Sequence, residues 1–258
     1  MPGYQTKQEW VEIAGAAPLQ MRSLLDQQQF SDPLGAAERL GISSAAWPMF
    51  GMLWPSGAHL AAHLAAHLAA YSAAYSAAHA LQPRQRILEV GCGLALASLV
   101  GHRLGADMTA SDCHPLAAEF LHANLQLNGL PPMKYRHGEW DGTLQGGAQQ
   151  KMVSQRYELI IGSDVLYDRD ACTALAGFIG RHASDAVSSE VWIVDPDRGN
   201  RPAFTRLMAA QGYALEQTRL DTPATPATPA TPASTAYRGR LLRYWRPPQA
   251  AAATAAAT

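Results

Sequence analysis

The segment Ile87-Leu-Glu-Val-Gly-Cys-Gly-Leu94, followed by Asp112, constrains this chain more than any other feature. A short apolar run closed by Gly-Cys-Gly spells a strand that turns sharply into a helix. Glycines in such a turn let the backbone approach a ligand closely, and the helix start offers free N–H groups. An acid at the end of the next strand stands where it can bond both hydroxyls of a ribose. Asp112 occupies that place. The same carboxylate can cap a helix beginning near Pro115, and the two roles do not exclude one another.

The rest of the chain repeats the alternation. Strands are predicted at 87–90, 108–111, 133–140, 157–161 and 191–194, and helices at 94–104, 116–128, 171–182 and 203–211. Strands alternating with helices imply crossover units in an α/β, doubly wound, mostly parallel sheet. Two more strands, at 214–220 and 239–245, flank a Thr-Pro-Ala repeat and read as an antiparallel C-terminal hairpin. Proline at every third position favours extended, solvated chain, so 222–235 is expected to be a disordered loop. Residues 1–45 read as a polar, helical N-terminal extension, with 9–13 undecided between strand and helix. The main domain is expected over 46–248, and the Ala-Thr tail at 249–258 is expected to be disordered.

A further helix is predicted over 58–81, where Ala-His-Leu-Ala repeats and then Tyr-Ser-Ala-Ala. His59, His63 and His67 share one helix face. With no carboxylate nearby, the stripe reads as low-complexity helix rather than a metal stack, and no metal is expected.

Composition narrows the partners. The net charge of −1 supplies no positive field for nucleic acid, so no nucleic-acid partner is expected. The three cysteines, Cys92, Cys113 and Cys172, form no CxxC pair, which argues against a disulfide framework and for a reducing cytoplasm. Residues 1–20 lack a basic stretch followed by an apolar run, and no uninterrupted apolar window of about 18 residues exists. Neither a signal peptide nor a membrane span is expected.

Two residues decide between nucleoside ligands. Leu96 stands where a dinucleotide fingerprint needs its third glycine, and the Glu89 carboxylate would repel a pyrophosphate. An acid at that position suits a ligand with a cationic amino-acid end, as in S-adenosylmethionine. Three more segments join the pattern: Leu53-Trp-Pro-Ser-Gly-Ala-His-Leu60, Gly138-Glu-Trp140 and Gly162-Ser-Asp-Val-Leu-Tyr-Asp168. On these segments the chain resembles the seven-strand class I methyltransferases, and more narrowly the protein-lysine methyltransferase group, from about 48 to 245. Asp195-Pro-Asp-Arg198 is similar to the branch that methylates the beta subunit of electron transfer flavoprotein, and to its bacterial relatives. That branch usually carries glycine where Asp197 stands here.

The resemblance implies a Rossmann-like sheet of seven strands, S-adenosylmethionine as cofactor and a protein lysine as acceptor. It implies Trp54, Glu89, Gly91, Gly93, Asp112, Glu139, Trp140 and Asp164 at the cofactor. It implies Asp164 and Tyr167 at the reacting nitrogen, and Asp195 and Arg198 at the substrate. Each position also has a plainer reading. Trp54 and Trp140 cover the adenine or methionine carbon, or pack as core aromatics. Glu139 accepts from the adenine amine or is an exposed charge. Asp164 orients a lysine ammonium or caps the helix before Ala171; Tyr167 borders the lysine channel or packs. Asp195 and Arg198 touch substrate or lock the rim through an ion pair. A lysine of pKa about 10.4 must lose its proton before attack, which burial beside a sulfonium favours. Methyl transfer from a sulfonium is an in-line displacement that needs alignment and exclusion of water, so no acid–base triad is required. The alternatives are a small-molecule or histidine N-methyltransferase of the same fold, or a non-catalytic S-adenosylmethionine-binding protein. A nicotinamide-dependent oxidoreductase is disfavoured by Glu89 and Leu96.

Overall fold

The structure, a computed structural model, describes residues 3–78, 85–141, 151–224 and 236–248. Most of the expected loop at 222–235, and the tail at 249–258, lie outside the described residues.

Seven strands form one sheet: β3 (Arg86–Val90), β4 (Asp107–Asp112), β5 (Lys134–His137), β6 (Leu159–Ser163), β7 (Ser189–Asp195), β8 (Ala214–Thr222) and β9 (Tyr237–Arg246). Their spatial order is β5-β4-β3-β6-β7-β9-β8. The first five are parallel, whereas β9 runs antiparallel to both β7 and β8. This is the doubly wound sheet with an antiparallel C-terminal pair that the alternation predicts. The chain leaves β3 towards β4 on one side and later returns to lay β6 on the other. The crevice beyond the ends of β3, β4 and β6 is therefore the switch point of the sheet, where open α/β sheets bind ligands.

Alternation along the central strands sends side chains to two cores. Ile87, Leu159, Ile161 and Trp192 face α2 (Pro55–Ala78), α3 (Leu96–Arg103) and α4 (Ala117–Leu127). Leu88, Ile160, Val191 and Ile193 face α5 (Arg169–His182) and α6 (Arg201–Ala210). Both faces of the sheet are covered, which explains why these strands are apolar throughout rather than alternating.

The N-terminal part corrects the sequence reading. Instead of a helical extension, residues 6–24 form an antiparallel hairpin, β1 (Thr6–Ile13) and β2 (Ala16–Leu24), turning at Gly15 with φ +79°. Among the described residues up to 45, α-helix is confined to one turn, α1 (Ala36–Arg39). The physical reason lies in β2, where Leu19, Met21 and Ser23 alternate inward and Pro18, Gln20 and Arg22 do not. Its outer edge is satisfied by a helix. The amide groups of Asn124, on α4, and Asn128, at its C-terminal cap, accept from the N–H groups of Arg22 (2.7 Å) and Gln20 (2.9 Å) and donate to their carbonyls. Two asparagines thus stand in for a third strand and cover an edge that would otherwise be open.

The histidine stripe on α2 packs against the sheet. His59 stacks on Tyr237 with ring centroids 4.4 Å apart, and His67 meets Trp192 edge-on at 4.8 Å. Among the described residues, no group of three or more His, Cys, Asp or Glu is placed to hold a metal ion, and no helix is long and apolar enough to cross a membrane.

Candidate functional site

The turn after β3 is built around its two glycines. Gly91 and Gly93 have φ of +57° and +50°, in the left-handed region that side chains resist. A Cβ on Gly91 would stand 2.8 Å from Val165 and 3.4 Å from the Trp140 ring; one on Gly93 would stand 2.8 Å from the carbonyl oxygen of Phe50. The turn is thus pressed between Trp140 and the 3-10 helix at Trp47–Gly51. Asp112 binds it from the neighbouring strand. Its Oδ2 accepts from the Gly93 amide and its Oδ1 from the His114 amide, both at 2.8 Å. It does not cap α4, which begins with no side-chain cap. Burial raises the Asp112 pKa, opposed by the amides it accepts from.

Glu89 takes a different position from that of a rim residue. It lies on the α2–α3 face, is 3% exposed, and its Oε2 accepts from the Ser98 amide at 2.8 Å, in the first turn of α3. Burial pushes its pKa up to about 7. Trp54 is half-buried and spends its indole N–H on the carbonyl of Met49, at 3.0 Å. Glu139 is half-buried in the segment leaving β5, next to Trp140. Trp140 and Tyr167 face each other across the rim, with ring centroids 6.3 Å apart and 27° between planes, and Tyr167 is 57% exposed.

The second cluster lies where β6 and β7 end. Asp164 has φ +59° and is only 13% exposed at its side chain. Its Oδ1 accepts from the Arg198 guanidinium at 2.8 Å, and its own carbonyl accepts a second Arg198 bond at 3.2 Å. Its Oδ2 is buried without a hydrogen-bond partner among the described residues. Burial lifts its pKa, while Ser56 and Arg198 pull it back. Asp164 is not the cap of α5: that place belongs to Asp168, which accepts from the Ala171 amide at 2.7 Å.

Arg198 does lock the rim, but its partner is Asp164 rather than Asp195. Asp195 is 1% exposed and folds its own loop, accepting from the amides of Asp197 (2.8 Å) and Arg198 (3.3 Å). Asn200 adds a second tie, donating to the Leu166 carbonyl at 3.0 Å. Asp197 has φ +64°, a conformation natural to glycine and tolerated by aspartate. Its carboxylate meets Arg240 at 3.2 Å and Arg201 at 3.6 Å, so the residue that departs from the usual glycine makes two ion pairs.

Several supporting residues were not singled out from the sequence. Trp47 and Phe50 pack on His114, with centroids 4.3 and 3.7 Å apart, behind the Asp112 turn. Ser56 and Tyr237 meet through their hydroxyls at 2.9 Å, both side chains buried. The sequence signal for Trp47 and Phe50 was the dense aromatic and proline content of 47–55.

The family model described as lysine methyltransferase matches residues 37–198, which span both clusters. The chain belongs to that family. It is an S-adenosylmethionine-dependent methyltransferase with the Rossmann-like sheet described above. It is 24% identical over 195 residues to the electron transfer flavoprotein beta subunit lysine methyltransferase of Xenopus laevis, covering 73% of this chain and 75% of that protein. It is 32% identical over 98 residues to protein N-lysine methyltransferase METTL21A of Mus musculus, covering 38% of this chain and 44% of the relative. Among solved structures, it is similar to precorrin-6y C5,15-methyltransferase from Geobacter metallireducens GS-15, at 12% identity and TM-score 0.49, over 64% of this chain and 81% of that one.

The donor set fits the cofactor of such enzymes. A glycine turn tied to Asp112, the Trp140 ring beside it and an unpartnered buried carboxylate oxygen on Asp164 suit a nucleoside at one end and a positive centre at the other.

Proposed function

We propose that this enzyme methylates the side-chain nitrogen of lysine in a protein substrate. The observation that carries the reading is Asp164, a buried carboxylate with one free oxygen, set at a rim whose neighbouring Tyr167 is largely exposed. An anion there can hold a lysine ammonium, and an exposed aromatic beside it leaves room for a large partner. The two relatives, each described as a lysine methyltransferase, support the same acceptor.

In this reading Asp112 receives the ribose hydroxyls, with Trp140 and Glu139 at the adenine. Gly91 and Gly93 allow the close approach of the chain. Glu89 acts from behind the turn, holding α3 by the Ser98 amide and supplying negative charge towards the amino-acid end. Trp54 lines the same side. The bound cofactor supplies an electrophilic methyl on a sulfonium. Asp164 orients the acceptor nitrogen, and Tyr167 borders its aliphatic stem. Burial beside positive charge disfavours the ammonium form, so the nitrogen loses its proton to water before attack. Asp195 shapes the loop that presents Arg198, and Arg198 fixes Asp164. The three free thiols suit a reducing compartment, and the cytoplasm is proposed as the site of action.

Incubation of the purified protein with methyl-tritiated S-adenosylmethionine and a cell lysate tests the acceptor. The reading expects label in protein bands. Label in small molecules alone would favour a small-molecule N-methyltransferase of the same fold.

A further inference from the structure

The Asp112 carboxylate is held by amides of its own turn, but its main chain is held from the neighbouring strand. Asp112 ends β4 and lies opposite His137, the last residue of β5, so beyond it the ladder no longer sets the position of the chain. The Asp112 carbonyl accepts from the Gly138 amide at 3.1 Å and from the Tyr135 hydroxyl at 3.0 Å. Tyr135 stands two residues before His137 on β5, partly buried against the core that α3 and α4 cover. Gly138 opens the segment that carries Glu139 and Trp140. A Cβ on Gly138 would collide with the Ser111 hydroxyl, so glycine there lets this segment lie against the end of β4. The two strand ends that line the nucleoside end are thus joined at one carbonyl, and among the described residues Tyr135 is the side chain that donates to it.

We propose that Tyr135 is a positioning residue: its hydroxyl, acting through the Asp112 carbonyl, sets where the Asp112 carboxylate meets the hydroxyls of the ribose. This rests on the reading of Asp112 as the ribose ligand. The Gly93 and His114 amides orient the carboxylate within its turn, whereas the carbonyl bonds fix the residue relative to β5. A ribose diol needs both carboxylate oxygens at hydrogen-bond distance, and such bonds weaken steeply with misalignment. A phenol facing a carbonyl can only donate, so this bond has a single direction. Phenylalanine at 135 removes that donor and leaves the carbonyl its Gly138 amide, so no main-chain group is orphaned.

The test needs no acceptor. S-adenosylhomocysteine and its 2′,3′-dideoxy analogue differ only in the ribose hydroxyls, so the ratio of their affinities reports the bonds those hydroxyls make. Calorimetry measures the first ligand, and competition against it measures the second. The wild-type protein is expected to prefer the ribose by about 10²-fold, the scale of hydrogen bonds to a charged group. In Tyr135→Phe this preference should fall by about fivefold, the scale of one net hydrogen bond. Binding of the dideoxy analogue should stay within about twofold of the wild type, because it has no hydroxyl for Asp112 to meet. In Asp112→Ala the preference should be lost, and adding Tyr135→Phe to that variant should change the ratio no further.

An unchanged ratio in Tyr135→Phe overturns the proposal, whether both ligands bind as before or both weaken equally, the mark of a merely structural role. So does a further fall in the ratio when Tyr135→Phe is added to Asp112→Ala, because the hydroxyl would then act elsewhere than through Asp112. Asp112→Ala separates the two levels. If it loses the preference while Tyr135→Phe keeps it, only the positioning role fails. If Asp112→Ala itself keeps the wild-type preference, the placement of the ribose at Asp112 fails with it. Should Asp112→Ala not fold, the ratio in Tyr135→Phe still decides the positioning role.

Discussion

Two carboxylates mark the two ends of this site, and they are held in opposite ways. Asp112 is tied to main-chain amides of its own neighbourhood, those of Gly93 and His114. Asp164 is held by a side chain from a distant segment, Arg198 after β7. Each oxygen of the first carboxylate accepts from one of these amides. The second keeps one buried oxygen free and sits in a left-handed conformation, which costs about 1–2 kcal/mol for a non-glycine residue. Asp195 also keeps a buried oxygen without a partner among the described residues, so what sets Asp164 apart is the open oxygen together with the left-handed backbone. The difference matches the proposed division between a cofactor end at Asp112 and an acceptor end at Asp164.

The largest effect should come from Asp112→Ala. It leaves two loop amides without their acceptor, at about 1–3 kcal/mol each, and removes the ribose ligand. Calorimetry should show S-adenosylhomocysteine binding weakened by about 10³-fold, and urea unfolding should show a lower midpoint. Near-normal binding would break the assignment of this end to the nucleoside.

Asp164→Asn should act on the other end alone. Asparagine tolerates the left-handed conformation, so the fold is retained. Methyl transfer to protein should fall by about 10²-fold, the scale of losing one electrostatic group at a reacting centre. S-adenosylhomocysteine affinity should stay within about twofold, since the thioether carries no charge for Asp164 to meet. Loss of both together would erase the division between the two ends.

Glu89 sharpens the comparison from behind the turn. Its folded-state pKa of about 7 lies above its unfolded value, so the folded state holds the extra proton. Stability from this group is therefore greatest below about pH 4.5 and is lost as pH rises towards 7. Glu89→Gln keeps an oxygen for the Ser98 amide and removes the titration. Across that window the wild type should lose on the order of 2 kcal/mol relative to Glu89→Gln in the unliganded state. Thermal unfolding at several pH values measures it, and parallel pH profiles would contradict it.

The smallest effect should come from Asp197→Gly. Glycine relieves the positive φ, while the ion pairs to Arg201 and Arg240 are lost. Partly exposed pairs contribute about 0–1 kcal/mol, so the two changes should nearly cancel. Denaturant unfolding should place the variant within about 1 kcal/mol of the wild type. A larger loss would mean that the aspartate, and not the conformation, organises the substrate loop.

The two ends also differed in how far the sequence revealed them. The glycine turn and Asp112 could be read because they lie within one crossover unit, where local pattern and tertiary role coincide. The same holds for the strands, whose apolar runs reflect burial on both faces. The Asp164–Arg198 pair was visible only as two motifs 34 positions apart, and the sequence left open whether Arg198 would pair with Asp195 instead. Ser56 and Tyr237 gave no signal, because a lone serine and a lone tyrosine become a pair only when α2 and β9 are packed. The N-terminal hairpin was misread for a related reason. Its outer edge is completed by Asn124 and Asn128, which in sequence are ordinary helix residues. Tertiary partners decided its structure over local propensity.

The most direct measurement is residue-level mass spectrometry of proteins from a lysate treated with isotope-labelled S-adenosylmethionine and this enzyme, beside an Asp164→Asn control. A protein acceptor held by Asp164 predicts label on lysine side-chain nitrogens of one or a few proteins, and its near-absence in the control. Label on another residue type, label confined to small molecules, or equal labelling by the control would contradict it.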